Sequence, residues 1–235
     1  MAAYNALTLI TRAYYLSQIV SRELQVPSDT QIADGLYLLN SIIDFKNSDV
    51  REIPYFQEYI FNTVQGQEMY FIPGLLQSDS LTFNIGPVRY AMNEETRDGY
   101  FSNYRIDNVQ SLPFQYRFER VLDGTNLFIY FVPADVYVMK LWGKFELTEV
   151  TLTTDLSLIY DYFYIEFLRH QLCVWICNEY GATVPDGVMA NYEVLQKKIM
   201  DVSPLDMSVR NLNYFGNSPG LDWQIINLSG GWLPY

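Results

Sequence analysis

One stretch of the sequence carries residue types that bind metals or transfer protons. Glu166, His170, Cys173 and Cys177 follow one another at spacings of four, three and four residues. In an α-helix these spacings place the side chains on one face, and all three residue types ligate zinc. Structural zinc sites draw ligands from two chain segments, but this chain has no other His or Cys. We favour the alternative, a buried helix with two apolar cysteines and a histidine held by Glu166, and predict no metal site.

Catalysis by other side chains has little support. His170 is the only histidine, so a Ser-His-Asp or Cys-His arrangement would have to use a residue in the middle of an apolar helix. Glu94 with Glu95, or Glu119 with Asp123, could serve as a glycosidase pair, but exposed carboxylates are normally solvated and these spacings have no specificity. We predict no catalytic residue and no enzyme activity.

The composition narrows the classes of function further. The chain has 235 residues, of which 49% are hydrophobic, and a formal net charge of −12. Its basic residues are scattered, and the sequence has no glycine-rich phosphate motif, so we predict neither a cofactor nor specific nucleic-acid binding. An acidic wall would nevertheless suit a conduit through which DNA slides.

The expected compartment is a cytosol. The two cysteines offer no disulfide framework, which favours a reducing environment. The N-terminus lacks the basic region of a signal peptide, and no apolar run reaches the roughly 18 residues of a membrane span. We therefore expect no membrane association.

Apolar periodicity predicts two helices at the start of the chain. The first covers residues 7–24 and ends before Pro27, and a capping box of Ser28 and Gln31 opens the second. Two such helices joined by a short turn make an antiparallel αα-hairpin.

Two further helices are predicted near the other end. One runs from the N-cap Asp155 to the C-cap Gly181 and is apolar on most sides, so it should be central. Another follows Pro185.

Short alternating segments rich in Tyr, Phe, Ile and Val fill the region between these helices and predict strands. Gly66-Gln67 and Asp123-Gly124 are expected to form hairpin turns, and the regular turn spacing favours a sandwich or small barrel. The predicted strands are EYIFNTV, EMYFIPG, SLTFNIG, FQYRFERV, NLFIYFVP and VYVMKLWGKFELTEV.

The C-terminal segment has no helical period but is rich in aromatic residues, which disordered tails normally lack. We predict a docking arm, with its aromatic side chains and the loop around Tyr100 and Tyr104 as candidate partner contacts. The aromatic residues of the arm are Tyr214, Phe215, Trp223, Trp232 and Tyr235.

These elements define an expected α+β fold. A helical bundle, made of the αα-hairpin and two C-terminal helices, would occupy residues 1–50 and 151–205. An antiparallel β sandwich or small barrel would be inserted as residues 51–150, and an extended arm would follow as residues 206–235.

The order of these motifs resembles a known family over about residues 5–200. The chain is similar to the head-to-tail adaptors of short-tailed phages, the tail accessory factor type of P22-like phages, and to ring proteins of crAss-like phages. It departs from the family where DLSLIY replaces a Leu-Pro before the third helix, and its tail after Arg210 is its own. The matching stretches are ALTLITRAYYLSQI, a second helix with Leu39-Asn40 and Ile43-Asp44, FNTVQGQEMYFIPG, LDGTNLFIYFVPADVYVMKLWGKFEL and a helix ending in NEYG.

The resemblance implies a structural virion protein. Its subunits would bind below the portal protein as a dodecameric ring, extend the DNA channel and present a platform for the tail or further ring proteins. Two alternatives stay open: a tail-associated peptidoglycan hydrolase, for which no catalytic motif matches here, and a soluble β-rich binding module.

Overall fold

The computed structural model describes residues 4–101 and 108–202. Over this range the chain is an α+β protein with five α-helices, two short 3₁₀-helices and ten β-strands. The helices are α1 (Ala6–Leu16), α2 (Asp29–Ser48), α3 (Arg97–Phe101), α4 (Tyr162–Glu179) and α5 (Asp186–Val202). The strands are β1 (Gln57–Asn62), β2 (Met69–Pro73), β3 (Leu75–Ile85), β4 (Val88–Ala91), β5 (Asn93–Glu94), β6 (Gln110–Ser111), β7 (Gln115–Val121), β8 (Gly124–Tyr130), β9 (Val132–Pro133) and β10 (Val138–Phe145).

Helix α4 is central, as its apolar sequence predicts. It packs against α1, α2 and α5. Ile165 and Leu172 lie on one side of the helix and Phe167 on nearly the opposite side, and all three are buried in one core with side chains of α1 and α2. A helix that is apolar all round must be covered all round, which explains this position.

The predicted helix caps are largely confirmed. The Ser28 hydroxyl accepts from the Gln31 amide, and the Gln31 side chain accepts from the Ser28 amide, so both halves of the capping box are present. At the end of α4, Gly181 has a φ of +62°, and the amide of Ala182 donates to the Cys177 carbonyl. This is a Schellman ending, which requires a residue free to adopt the left-handed conformation.

Two helix boundaries differ from the prediction. The first helix ends at Leu16 instead of residue 24, since Gln18 adopts a φ of +62°, and Leu24 is 84% exposed. The long helix begins at Tyr162, because Asp155 caps a separate 3₁₀-turn (Leu156–Leu158) and also accepts from the Tyr4 amide.

The strands form two four-stranded sheets and one small pair. The first sheet has the order β1-β10-β3-β4 and is antiparallel throughout. The second sheet has the order β2-β8-β7-β5, in which β5 and β7 are parallel, and β6 pairs with β9. None of these sheets closes into a barrel within the described residues.

The two larger sheets bury side chains in a common core, separate from the core of the helices. The first sheet contributes Leu81, Phe83 and Leu141, and the second contributes Ile72, Leu127 and Ile129.

One predicted hairpin is confirmed and the other is wrong. β7 and β8 form a hairpin in which Asp123 has a φ of +62°, and a Cβ on Gly124 would lie only 2.5 Å from the Ile72 carbonyl oxygen. The chain also turns at Gly66, whose φ is +79°. However, β1 pairs with β10 and β2 with β8, so that turn carries the chain from the first sheet to the second.

Candidate interaction surfaces

On the helical face with the possible zinc ligands, His170 and Glu166 have protein partners. His170 Nδ1 donates to the backbone carbonyl of Glu166 at 2.8 Å, while the Glu166 carboxylate pairs with Arg169. Burial raises the pKa of the Cys173 thiol to about 12 and also raises that of Cys177, which keeps both protonated, whereas a metal binds the thiolate. In the described part of the chain, no three His, Cys, Asp or Glu side chains come together as a metal site.

The acidic side chains considered for glycoside cleavage do not meet in one cleft. Glu119 lies on β7 and pairs with Arg117 at 3.1 Å and with Arg97 at 3.7 Å. Asp123 lines an open cavity of about 380 Å³ that Glu119 does not line. A second cavity of about 340 Å³ shares Arg120 with the first and is lined by Glu94. The Glu95 carboxylate instead accepts from the side-chain amide of Gln115 at 3.0 Å.

The most distinctive surface is an apolar face on β1 and β10, called here the outer ribbon. It comprises the outward side chains of these two strands and of the residues that continue their pairing. Its large apolar members are between 41% and 60% exposed. They are Ile60, Val64, Val136, Val138 and Trp142.

Pairing between β1 and β10 places these side chains on one surface. Glu58 lies opposite Trp142, and Ile60 opposite Lys140. The amide of Thr63 donates to the Tyr137 carbonyl at 2.9 Å, which extends the pairing beyond both strands. Within the ribbon, Lys140 forms an ion pair with Glu58 across the strands at 3.7 Å.

The opposite face of the same two strands fills the core of the sheets. Met139 and Leu141 of β10 are fully buried there, and Tyr59 and Phe61 of β1 pack against them. Antiparallel sheets normally alternate apolar residues inside with polar ones outside. The two strands depart from this rule, because large apolar side chains also lie on the outer face, beside Glu58 and Lys140. Exposed apolar patches of this kind are typical of interaction sites.

The partner contacts predicted from the sequence lie outside the outer ribbon. Tyr100, one of the two loop tyrosines, is buried: its hydroxyl donates to Glu68 at 2.8 Å and its ring packs on Phe101 and Phe128. Tyr104 lies outside the described residues. The arm residues lie outside them as well, namely Tyr214, Phe215, Trp223, Trp232 and Tyr235.

The outer ribbon had a signal in the sequence that could have identified it. In EYIFN and VMKLW, apolar residues occupy both odd and even positions, so neither strand has a fully polar face. The central helix showed the same kind of pattern and was correctly interpreted as buried on several sides. For the strands, the same pattern places large apolar side chains on the outer face as well as in the core.

Comparison with known proteins adds no family to this description. No protein-family model matches the chain, and no curated protein matches its sequence. Among residues 4–101 and 108–202, no helix is long and apolar enough to cross a membrane.

Proposed function

We propose that this chain is a structural virion protein, a head-to-tail adaptor of a short-tailed phage. Its subunits assemble as a ring below the portal protein, extend the DNA channel and provide the platform to which the tail or further ring proteins attach. The protein has no enzyme activity, assembles in the host bacterial cytoplasm and functions at the head-tail connector of the virion.

The observation that carries the proposal is the outer ribbon. A monomeric enzyme or binding module gains nothing from an apolar sheet face without a pocket, because exposed apolar area favours aggregation. A subunit that works only inside an assembly buries such a face in its final state. Ile60 and Trp142 lie on adjacent strands of this face, each more than 40% exposed.

We also propose how the helices and sheets are arranged. We take α1 and α2 as an αα-hairpin that forms a bundle with α4 and α5, into which the two sheets are inserted as a sandwich. Support comes from the contacts of α4 with α1, α2 and α5, and from the common core of the sheets. The order of elements, two helices before the strands and two after, is the order on which the resemblance rests.

The charge of the chain fits passage of DNA without specific binding. A net charge of −12 repels the phosphate backbone, so a channel made of many copies would let DNA slide past without adhering. The C-terminal arm, with its two Trp residues, is assigned to docking on a ring neighbour or the portal.

Native mass spectrometry of the purified chain, alone and mixed with the portal protein of the same genome, tests the proposal. We expect a defined multi-subunit complex in the mixture, even if the chain alone is a monomer. A chain that stays monomeric in both samples would refute the adaptor function. Loss of turbidity in a peptidoglycan suspension, abolished by Glu119→Gln, would establish the hydrolase alternative instead.

A further inference from the structure

In the described part of the chain, the first sheet ends in two edge strands, β1 and β4, that have no further partner strand. Within the described residues, the backbone of β1 bonds to β10 only, and that of β4 bonds to β3 only. All four residues of β4 are exposed. Proteins usually shield such edges, because unpaired N–H and C=O groups recruit another strand.

The hydrogen bonds show which groups face each open edge. The Thr63 amide donates to Tyr137, so every second residue of β1, counted back from Thr63, bonds to β10. The N–H and C=O groups of Glu58, Ile60 and Asn62 therefore point away from the sheet. On β4, the Met92 amide donates to Leu81 at 3.0 Å, which by the same alternation leaves Arg89 and Ala91 facing outward.

These two edges are complementary in direction and in face. Because each of the four strands is antiparallel to its neighbour, β4 runs opposite to β1. A β4 strand placed beside the β1 strand of another copy would therefore continue the antiparallel order. Ile60, Lys140, Thr82 and Ala91 form one row across the sheet, so the edge-facing residues of both strands lie on the same face.

The edges are also complementary in charge. Arg89 is the only charged residue of β4, and Glu58 is the only charged residue of β1. Pro87, which precedes β4, has no N–H to donate, so pairing starts at Arg89. With Arg89 opposite Ile60 of the other copy, Ala91 lies opposite Glu58, and both pairs can exchange two hydrogen bonds. The Arg89 guanidinium is then diagonal to the Glu58 carboxylate, within reach of these long side chains.

We infer that β4 of one copy pairs with β1 of the next copy, so that the first sheet continues from subunit to subunit. This inference rests on the proposed function, because it names the contact between neighbours in the proposed ring. The contact is head-to-tail, since each copy presents its β4 edge to one neighbour and its β1 edge to the other. Repetition of such a contact closes into a ring when the rotation permits.

Cysteine crosslinking of the full-length chain, alone and mixed with the portal, tests this contact. The pair Arg89→Cys and Ile60→Cys would face each other across the new interface, with Cα atoms about 5.5 Å apart, a separation that a disulfide accepts. The native thiols of Cys173 and Cys177 are buried and protonated, so they contribute little background. Each single-cysteine variant is the matched control.

We expect the double variant to give a ladder of linked dimers, trimers and larger species after mild oxidation, and each single variant to stay unlinked. Dimers from Ile60→Cys alone would show that two β1 edges meet, which overturns the inference. If native mass spectrometry shows the ring but the double variant gives no ladder, this contact is wrong and the proposed function stands. If no ring forms with the portal, both fail.

Discussion

Asn40 and Val150 are joined by two reciprocal hydrogen bonds: the Asn40 amide donates to the Val150 carbonyl at 3.1 Å, and the Val150 N–H donates to Asn40 Oδ1 at 2.9 Å. Asn47, two turns further along α2, binds both backbone groups of Leu147 in the same way. Two asparagines thus fix the segment that leads from the last strand back to the helices. These bonds hold the segment after β10 against α2.

Removal of one such connection should destabilise the fold. Asn40→Ala leaves both backbone groups of Val150 without their partner, for which we expect a loss of about 2 kcal/mol in the free energy of unfolding. Urea denaturation measures it. Asn191→Ala, at an exposed position of α5, is the control and should change stability by less than about 0.5 kcal/mol. Equal effects of the two variants would show that the reciprocal bonds contribute nothing.

A buried ion pair joins α2 to the 3₁₀-turn that follows it (Val50–Glu52). Lys46 and Glu52 are 1% and 4% exposed, and Gln196 of α5 donates to the second Glu52 oxygen at 2.8 Å. Lys46 Nζ also lies 4.6 Å from the centre of the Phe167 ring. Burial lowers the pKa of Lys46, although Glu52 opposes this shift.

Lys46→Met should therefore lower the free energy of unfolding by about 3 to 5 kcal/mol, because it leaves the Glu52 carboxylate buried without its counter-charge. Combining it with Glu52→Gln should recover most of that loss, as a double-mutant cycle of unfolding free energies will show. The exposed pair of Arg51 and Asp49, at 3.4 Å, is the matched control. Its double-mutant cycle should give a coupling energy of less than about 1 kcal/mol. A small loss for Lys46→Met, comparable to the control, would contradict this account.

Three tyrosines next to this pair predict sensitivity to alkaline pH. Their rings are in mutual contact, and burial raises the pKa of Tyr55 and of Tyr160 to about 12 and that of Tyr164 well above its ordinary value. Unfolded tyrosine loses its proton near pH 10, before the folded residues do. Stability should therefore be complete below pH 10 and fall as the pH rises from 10 towards 12. Thermal unfolding between pH 8 and about pH 11.5 measures this decline.

Tyr160→Phe should make that decline shallower. Among the described residues, the Tyr160 hydroxyl is buried and has no hydrogen-bond partner, so its removal also relieves a desolvation cost at neutral pH. We expect unchanged or higher stability at pH 7. Tyr37→Phe, at an exposed position of α2, should leave the pH dependence unchanged. An equally steep decline in Tyr160→Phe would show that Tyr160 does not contribute to the loss of stability at alkaline pH.

Local features of the fold were predictable because each depends on a few neighbouring residues. The capping box of Ser28 and the left-handed Gly181 are set by chemistry within one turn of helix. The six segments predicted as strands all contain strands. In contrast, β4, β5 and β6 were missed, because short strands lack a clear alternation.

Relationships between distant residues could not be deduced from the same patterns. Gly66 produces a turn as expected, but which strands it separates depends on pairing with β8 and β10, more than 50 residues further along the chain. The partner of Asn40 is 110 residues away. The outer ribbon was missed for a related reason: EYIFN and VMKLW are apolar at odd and even positions, but only the pairing of the two strands places Ile60 and Trp142 on one exposed face.

The C-terminal arm gives the last prediction. The buried apolar residues of the described part all lie between Ala6 and Ile199, so deletion of residues 212–235 removes none of these core side chains. The truncated chain should therefore keep the unfolding midpoint of the full chain. Its affinity for the portal protein, measured by titration calorimetry, should fall, because the two arm tryptophans are assigned as anchors of that contact.

Single substitutions can identify the anchor. Truncation of an aromatic anchor typically costs about 2 kcal/mol, so Trp223→Ala or Trp232→Ala should weaken portal binding roughly 30-fold. The other tryptophan then serves as the control within the same arm. If the deletion variant unfolds, the arm belongs to the folded core. If it is folded and binds as tightly as the full chain, portal docking depends on other surfaces, and the outer ribbon becomes the first to examine, beginning with Trp142→Ser.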